Sequence, residues 1–147
     1  MSGPTSCTPV AEAAAHISRD QVIALAGNSL AHFCHQAART AGWWTDIRTG
    51  APLDPIGDKN LVLAKLALVH SEVSEAVEGH RKDRQDDHLL DRLSIEVELA
   101  DAVIRIADLC GALGLDLGGA IAEKMAYNAV RVDHTLAHRQ AVGGKAV

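Results

Sequence analysis

From Val22 onward the apolar residues Val22, Leu25, Ala26, Leu30, Phe33 and Ala37 recur every three or four positions, which is the spacing of one face of a helix. Ser18 followed by Gln21 has the spacing of a capping box, so this first helix is expected to run from Ser18 to about Thr40. Gly42 to Gly57 contains Pro52 and Pro55 and reads as a loop. Asp58 can cap a second helix, LVLAKLALVHSEVSEAVEG, that ends near Gly79. The polar connection HRKDRQDD follows, then a third helix from about His88 to Leu109 that stops at Gly111 and Gly114. Asp116 can cap a fourth helix that ends near Arg131. Residues 1–17, with Pro4 and Pro9, read as a flexible N-terminal tail, and 132–147 as a flexible C-terminal tail around one domain at 18–131.

Four amphipathic helices with short links predict an all-α fold, an antiparallel four-helix bundle. The second and third helices are apolar around most of their circumference. A single small bundle offers too little covered surface for that, so an obligate homo-oligomer is expected. Composition agrees with helices: 48% of the 147 residues are hydrophobic but only 3% are aromatic, and Ala, Leu and Val dominate.

Charge and cysteine usage narrow the partners. A formal net charge of −5 gives no global basic field for a nucleic acid polymer. Cys7, Cys34 and Cys110 are odd in number and lack metal-ligand spacing, which predicts no disulfide framework and a reduced, cytoplasmic setting. The N-terminal residues lack a positively charged start and an apolar run, so no signal peptide is expected. Lys65, His70 and several acids interrupt the longest apolar stretches, so no membrane span is expected either.

The candidate chemistry lies in two acid pairs. On the second helix Lys65, Leu68, Glu72, Glu75 and Gly79 share a stripe, and on the third Ser94, Glu98, Asp101, Arg105 and Asp108 do the same. Each central helix thus carries two carboxylates one turn apart, within otherwise aliphatic sequence. Two unit charges about 4 Å apart interact by about 4 kcal/mol at an effective dielectric near 20. Four converging carboxylates must therefore bind protons or a cation. All-oxygen ligation selects a hard ion, Mg2+ with Mn2+ as a substitute, over zinc. A diiron centre would need Glu-x-x-His, which neither helix has. The opposing reading makes both acid pairs solvated outer faces. Arg105 is placed to clamp Asp101 four residues away or to form a surface ion pair, and Glu78 and Glu96 lie off the stripes as surface charges.

The pattern Glu72-x-x-Glu75 followed by Glu98-x-x-Asp101, with VHSEVSEAVEGHRK, VELADAVIRIADLCGALGLDL and EKMAYNAVR around it, resembles the MazG-like nucleoside triphosphate pyrophosphohydrolases. The similarity covers roughly Gly42 to Arg131. It implies a homodimer or dimer of dimers that uses magnesium to hydrolyse a nucleoside triphosphate to the monophosphate and pyrophosphate, as nucleotide-pool house-cleaning. By the same resemblance Glu72, Glu75, Glu98 and Asp101 are the metal ligands, and Lys124, Asn128 and Arg131 contact phosphate. A Lys-Asn-Arg stripe suits a polyphosphate, and it equally suits the C-terminal end of any helix. After Asn128 the chain runs Ala129-Val130-Arg131-Val132-Asp133, departing from the basic segment of the family.

In that reading Glu72 or Glu75 activates water, with Glu75 preferred. Trp43 and Trp44 stand in the loop before the second helix, where one ring could plug the bundle and the other stack on a base. His80, Arg84 and His88 read as solvated loop residues. Two alternatives stand beside this one: a phosphoribosyl-ATP pyrophosphohydrolase-like enzyme, and a non-catalytic helical dimerisation module.

Overall fold

The computed structural model describes residues 17–144, and these are all-helical apart from turns and two isolated bridges. Five α-helices follow in order: α1 (Arg19–Thr40), α2 (Lys59–Arg81), α3 (Ser94–Ala112), α4 (Leu117–Ala129) and α5 (Leu136–Gln140). The N-terminal segment expected to be a tail, and Cys7 within it, lies outside the described residues except for Ile17 and its neighbour Ser18 at the helix start.

Local capping starts three of these helices where the sequence predicts. At α1 the Ser18 hydroxyl accepts from the Gln21 N–H at 3.2 Å, and the Gln21 side chain accepts from the Ser18 N–H at 2.8 Å. The Asp58 carboxylate takes the N–H groups of Asn60 and Leu61 at the start of α2, and Asp116 takes that of Gly119 in α4.

The third helix departs from expectation. It begins at Ser94, not at His88, because Asp86 captures the backbone first. Its carboxylate accepts from the His88 and Leu89 N–H groups at 2.9 and 2.6 Å, and its own N–H donates to the Arg92 carbonyl. That closes 84–94 into a compact turn, pinned by an antiparallel bridge between Gln85 and Leu93. Beyond α4, the segment expected to be a flexible tail carries a 3-10 turn at Val132–His134 and the short α5, which pack on each other.

The substantial helix interfaces join α2 to α3, α3 to α1, and α1 to α4. The helices therefore form a series with α3 and α1 inside, and α2 and α4 at opposite ends. Within one chain this series does not close into a ring. Glycines permit the tightest approaches: Gly27 of α1 lies against the backbone of Gly118 in α4, and Gly111 of α3 against the carbonyl of Ala31.

The core of a single chain is thin. Its buried apolar residues, among those described, are mainly alanines (Ala31, Ala76, Ala102, Ala107, Ala122), with Leu109 and Trp44. Large apolar side chains on every long helix remain open, including Leu25 at 67%, Phe33 at 64% and Val77 at 63% exposure. Among the described residues, no helix is long and apolar enough to cross a membrane.

Candidate functional site

Helices α2 and α3 approach closely at Gly79, where a Cβ would collide with the Ser94 side chain. One to two turns from that contact the acid stripes of the two helices face each other. Glu72, Glu98 and Asp101 each offer a carboxylate oxygen, all within 4.8 Å of one another. Glu72 is 5% exposed. The acid pairs are therefore not two outward, solvated faces. Glu75, expected as a fourth member, is exposed and lies outside this triplet, although its charge still acts on Glu98.

The electrostatics follow from that crowding. Burial holds the Glu98 carboxyl above its usual range, and the charges of Glu75 and Glu72, a hydrogen bond with Glu72 and the charge of Asp101 push it further the same way. Arg105 supplies the nearest counter-charge, its Nε donating to Glu72 Oε1 at 2.6 Å. Arg105 thus clamps Glu72 across the α2–α3 contact and not Asp101 on its own helix. The two acids expected on the surface are there: Glu78 pairs with Arg81 and Lys82, and Glu96 with Arg92.

Asp101 also belongs to the wall of a cavity of about 310 Å³ between α1, α2 and α3. Trp43, Lys65, Leu68, Ile104, Arg105, Asp108 and Cys34 line it as well. The two tryptophans part company here. Trp43 is 68% exposed and faces the cavity, whereas Trp44 is 6% exposed. The indole Nε1 of Trp44 donates to Asp108 Oδ1 at 2.7 Å, and His35 Nδ1 contacts the same oxygen at 2.9 Å. The Lys65 ammonium stands 4.4 Å from the Trp44 ring centroid and donates to the Trp43 carbonyl at 3.3 Å. These contacts fix the loop that carries both rings. Burial, and then the charge of Asp108, hold the Cys34 thiol above its usual range.

The residues expected to contact phosphate lie elsewhere in one chain. Helix α4 packs on α1, and none of Lys124, Asn128 and Arg131 lines the cavity. The Lys124 ammonium lies 4.7 Å from the Tyr127 ring centroid. Arg131 pairs with Asp133, whose carboxyl it lowers to about 2. The Asn128 Oδ1 is buried with no hydrogen-bond partner. The two cations that line the cavity are Lys65 and Arg105, and Arg105 also pairs with Glu72 of the acid triplet. No sequence motif marks the cluster of Trp44, Asp108 and His35, although Asp108 continues the acid stripe of α3.

No protein-family model matches the chain, and no curated protein or solved structure matches it.

Proposed function

We propose that the chain is a magnesium-dependent nucleoside triphosphate pyrophosphohydrolase that works as a homo-oligomer. The supporting observation is that Asp101 is shared: it belongs both to the convergent carboxylates and to the wall of a cavity that also holds Trp43, Lys65 and Arg105. A charge centre beside a flat, partly apolar recess is the chemistry a nucleotide needs at its two ends.

The donor set fits a hard divalent cation, being all carboxylate oxygen in a crowd that already raises Glu98. Glu72, Glu98 and Asp101 would hold it, with Glu75 at the rim. Such an ion, when bound, neutralises phosphate charge and favours ionisation of water. The remaining work falls to the chain itself. Lys65 and Arg105 offset the charge of the phosphates from the cavity side. Trp43 offers its ring to the base. Exposed Glu75 orients a water and accepts its proton as the oxygen bonds to the α-phosphorus and the bond to the β-phosphate bridge breaks. The products are the monophosphate and pyrophosphate.

Association accounts for the open apolar faces of Leu25, Phe33, Leu63 and Val77, which exceed what a lone domain of this size leaves uncovered. A second copy would close the helix series into a complete bundle, and it is the route by which Lys124, Asn128 and Arg131 could reach a neighbouring carboxylate centre. Free Cys34 and Cys110 are in keeping with a reducing, cytoplasmic setting.

The test is a screen of nucleoside triphosphates for pyrophosphate release with magnesium, using wild type and Asp101→Asn. Release by wild type and its loss in the variant, at an unchanged melting temperature, is the expected result. Full release by Asp101→Asn overturns the carboxylate centre. No release, together with a melting temperature that magnesium and nucleotides leave unmoved, returns the chain to a helical dimerisation module.

A further inference from the structure

Resting on that reading, we infer that Asp108 selects the base, favouring nucleotides whose base carries an exocyclic amino group (cytosine, adenine or guanine) over uracil and thymine. Asp108 is 7% exposed and lines the cavity. Its two oxygens have different environments. Oδ1 takes both the Trp44 Nε1–H at 2.7 Å and the His35 ring nitrogen at 2.9 Å. Oδ2 accepts from no described residue, and Asp108 is part of the cavity wall. A carboxylate oxygen left unpaired in a largely apolar recess is a strong acceptor waiting for a donor.

The position suits the base end of a nucleotide. Asp101 and Asp108 lie on the same helix, seven residues apart. At about 1.5 Å per residue that is about 10 Å along α3, the scale of a nucleoside. Phosphates at the Asp101 end therefore direct the base toward Asp108, between the Trp43 ring and the aliphatic side chains of Leu68 and Ile104. An amino group donates to Oδ2 without strain. Uracil and thymine offer only an N3–H flanked by two carbonyl oxygens, which the carboxylate repels. Trp44 and His35 act as positioning residues, since they hold Oδ1 and so aim Oδ2.

The pair dCTP and dUTP differs at one ring position by an amine or a carbonyl, and it isolates this contact. Wild type should process dCTP with a kcat/KM at least tenfold above that for dUTP. Asp108→Asn keeps an oxygen for Trp44 and His35 and turns an amide N–H into the cavity, so the ratio should collapse or invert. A ratio that stays unchanged in a folded Asp108→Asn variant overturns the inference, as does a wild-type preference for dUTP. A second measurement needs neither the variant nor turnover. Cys34 lines the same cavity, so deoxycytidine should slow its alkylation, mapped by mass spectrometry in the wild-type chain, more than deoxyuridine does. Better protection by deoxycytidine without hydrolysis of any triphosphate keeps the base reading and removes the pyrophosphohydrolase. Hydrolysis of dCTP and dUTP at equal rates, with equal protection, removes the base reading alone.

Discussion

The contact of α1 with α4 and the contact of α2 with α3 are built by opposite means. Where α1 meets α4, Gly27 and Gly118 bring two backbones together, and the Asn28 and Asp116 side chains beside them are paired. The Asn28 side chain accepts from the Gly118 N–H at 2.8 Å and donates to Asp116 Oδ1 at 2.8 Å. The same carboxylate caps α4, and the hydrogen bonds from Asn28 and then Gly119 hold it below its usual range. Where α2 meets α3, Glu72, Glu98 and Asp101 aim at one another with Arg105 as the near counter-charge. One crossing has its charges and hydrogen bonds in balance. The other keeps a surplus of negative charge in a partly buried place, which works against the fold and which the proposed cation would offset. A helix contact that is not optimised for stability is the one to examine for chemistry.

The comparison breaks most sharply at Gly118. A Cβ there would lie far inside van der Waals contact with the Ala24 carbonyl oxygen, a backbone atom that cannot swing away. Gly118→Ala should cost about 3 kcal/mol or more, or prevent folding, as read from the urea midpoint. A midpoint equal to wild type would mean that the close approach constrains nothing.

A smaller effect of opposite sign is expected at the other crossing. In the absence of divalent ions, Glu98→Gln removes one charge from the crowd and should raise the melting temperature by roughly 2–4 °C. Magnesium should then stabilise wild type and leave the variant unmoved. Because the folded state holds the Glu98 proton more tightly than the unfolded chain, ionising the group works against folding. That penalty is absent below the unfolded value of 4.5 and sets in as pH rises through the raised folded value. The gain from Glu98→Gln should accordingly vanish in acid and reach its plateau above that range. A variant less stable than wild type at neutral pH would refute the crowding argument.

The smallest effect belongs to Glu78, an ordinary surface ion pair beside the crowded site. Hydrogen bonds from Arg81 and then Lys82 lower its carboxyl to about 2. Its contribution to stability is present above 4.5 and is lost as pH falls toward about 2. Glu78→Gln should lower the melting temperature only slightly at neutral pH, and not at all in about 1 M salt, where exposed charges are screened.

Legibility in the sequence follows the range of the interactions. Ser18, Asp58 and Asp116 act on backbone groups two or three residues away, so their helix starts can be read directly. The facing acid stripes are also legible, because helical spacing alone puts Glu98 and Asp101 on one face. Asp86 is equally local, but a turn and a helix start use the same side-chain chemistry, so the sequence alone does not separate them over His88 to Leu93. Partners across the fold escape such reading. Arg105 had a candidate partner four residues away and bonds instead to Glu72, 33 residues distant. Asp108 meets Trp44 and His35 over separations of 64 and 73 residues, and no local pattern announces that.

The adjacent Trp43 and Trp44 are the only tryptophans in the chain, one mostly in solvent and one sealed against a carboxylate. Their emission is therefore a sum of two colours from a single dipeptide. The red-edge component, from Trp43, is the one a stacked ring would quench. The blue component, from Trp44, changes only when Asp108 releases the loop. Titration and unfolding can thus be followed as separate channels in the unlabelled protein.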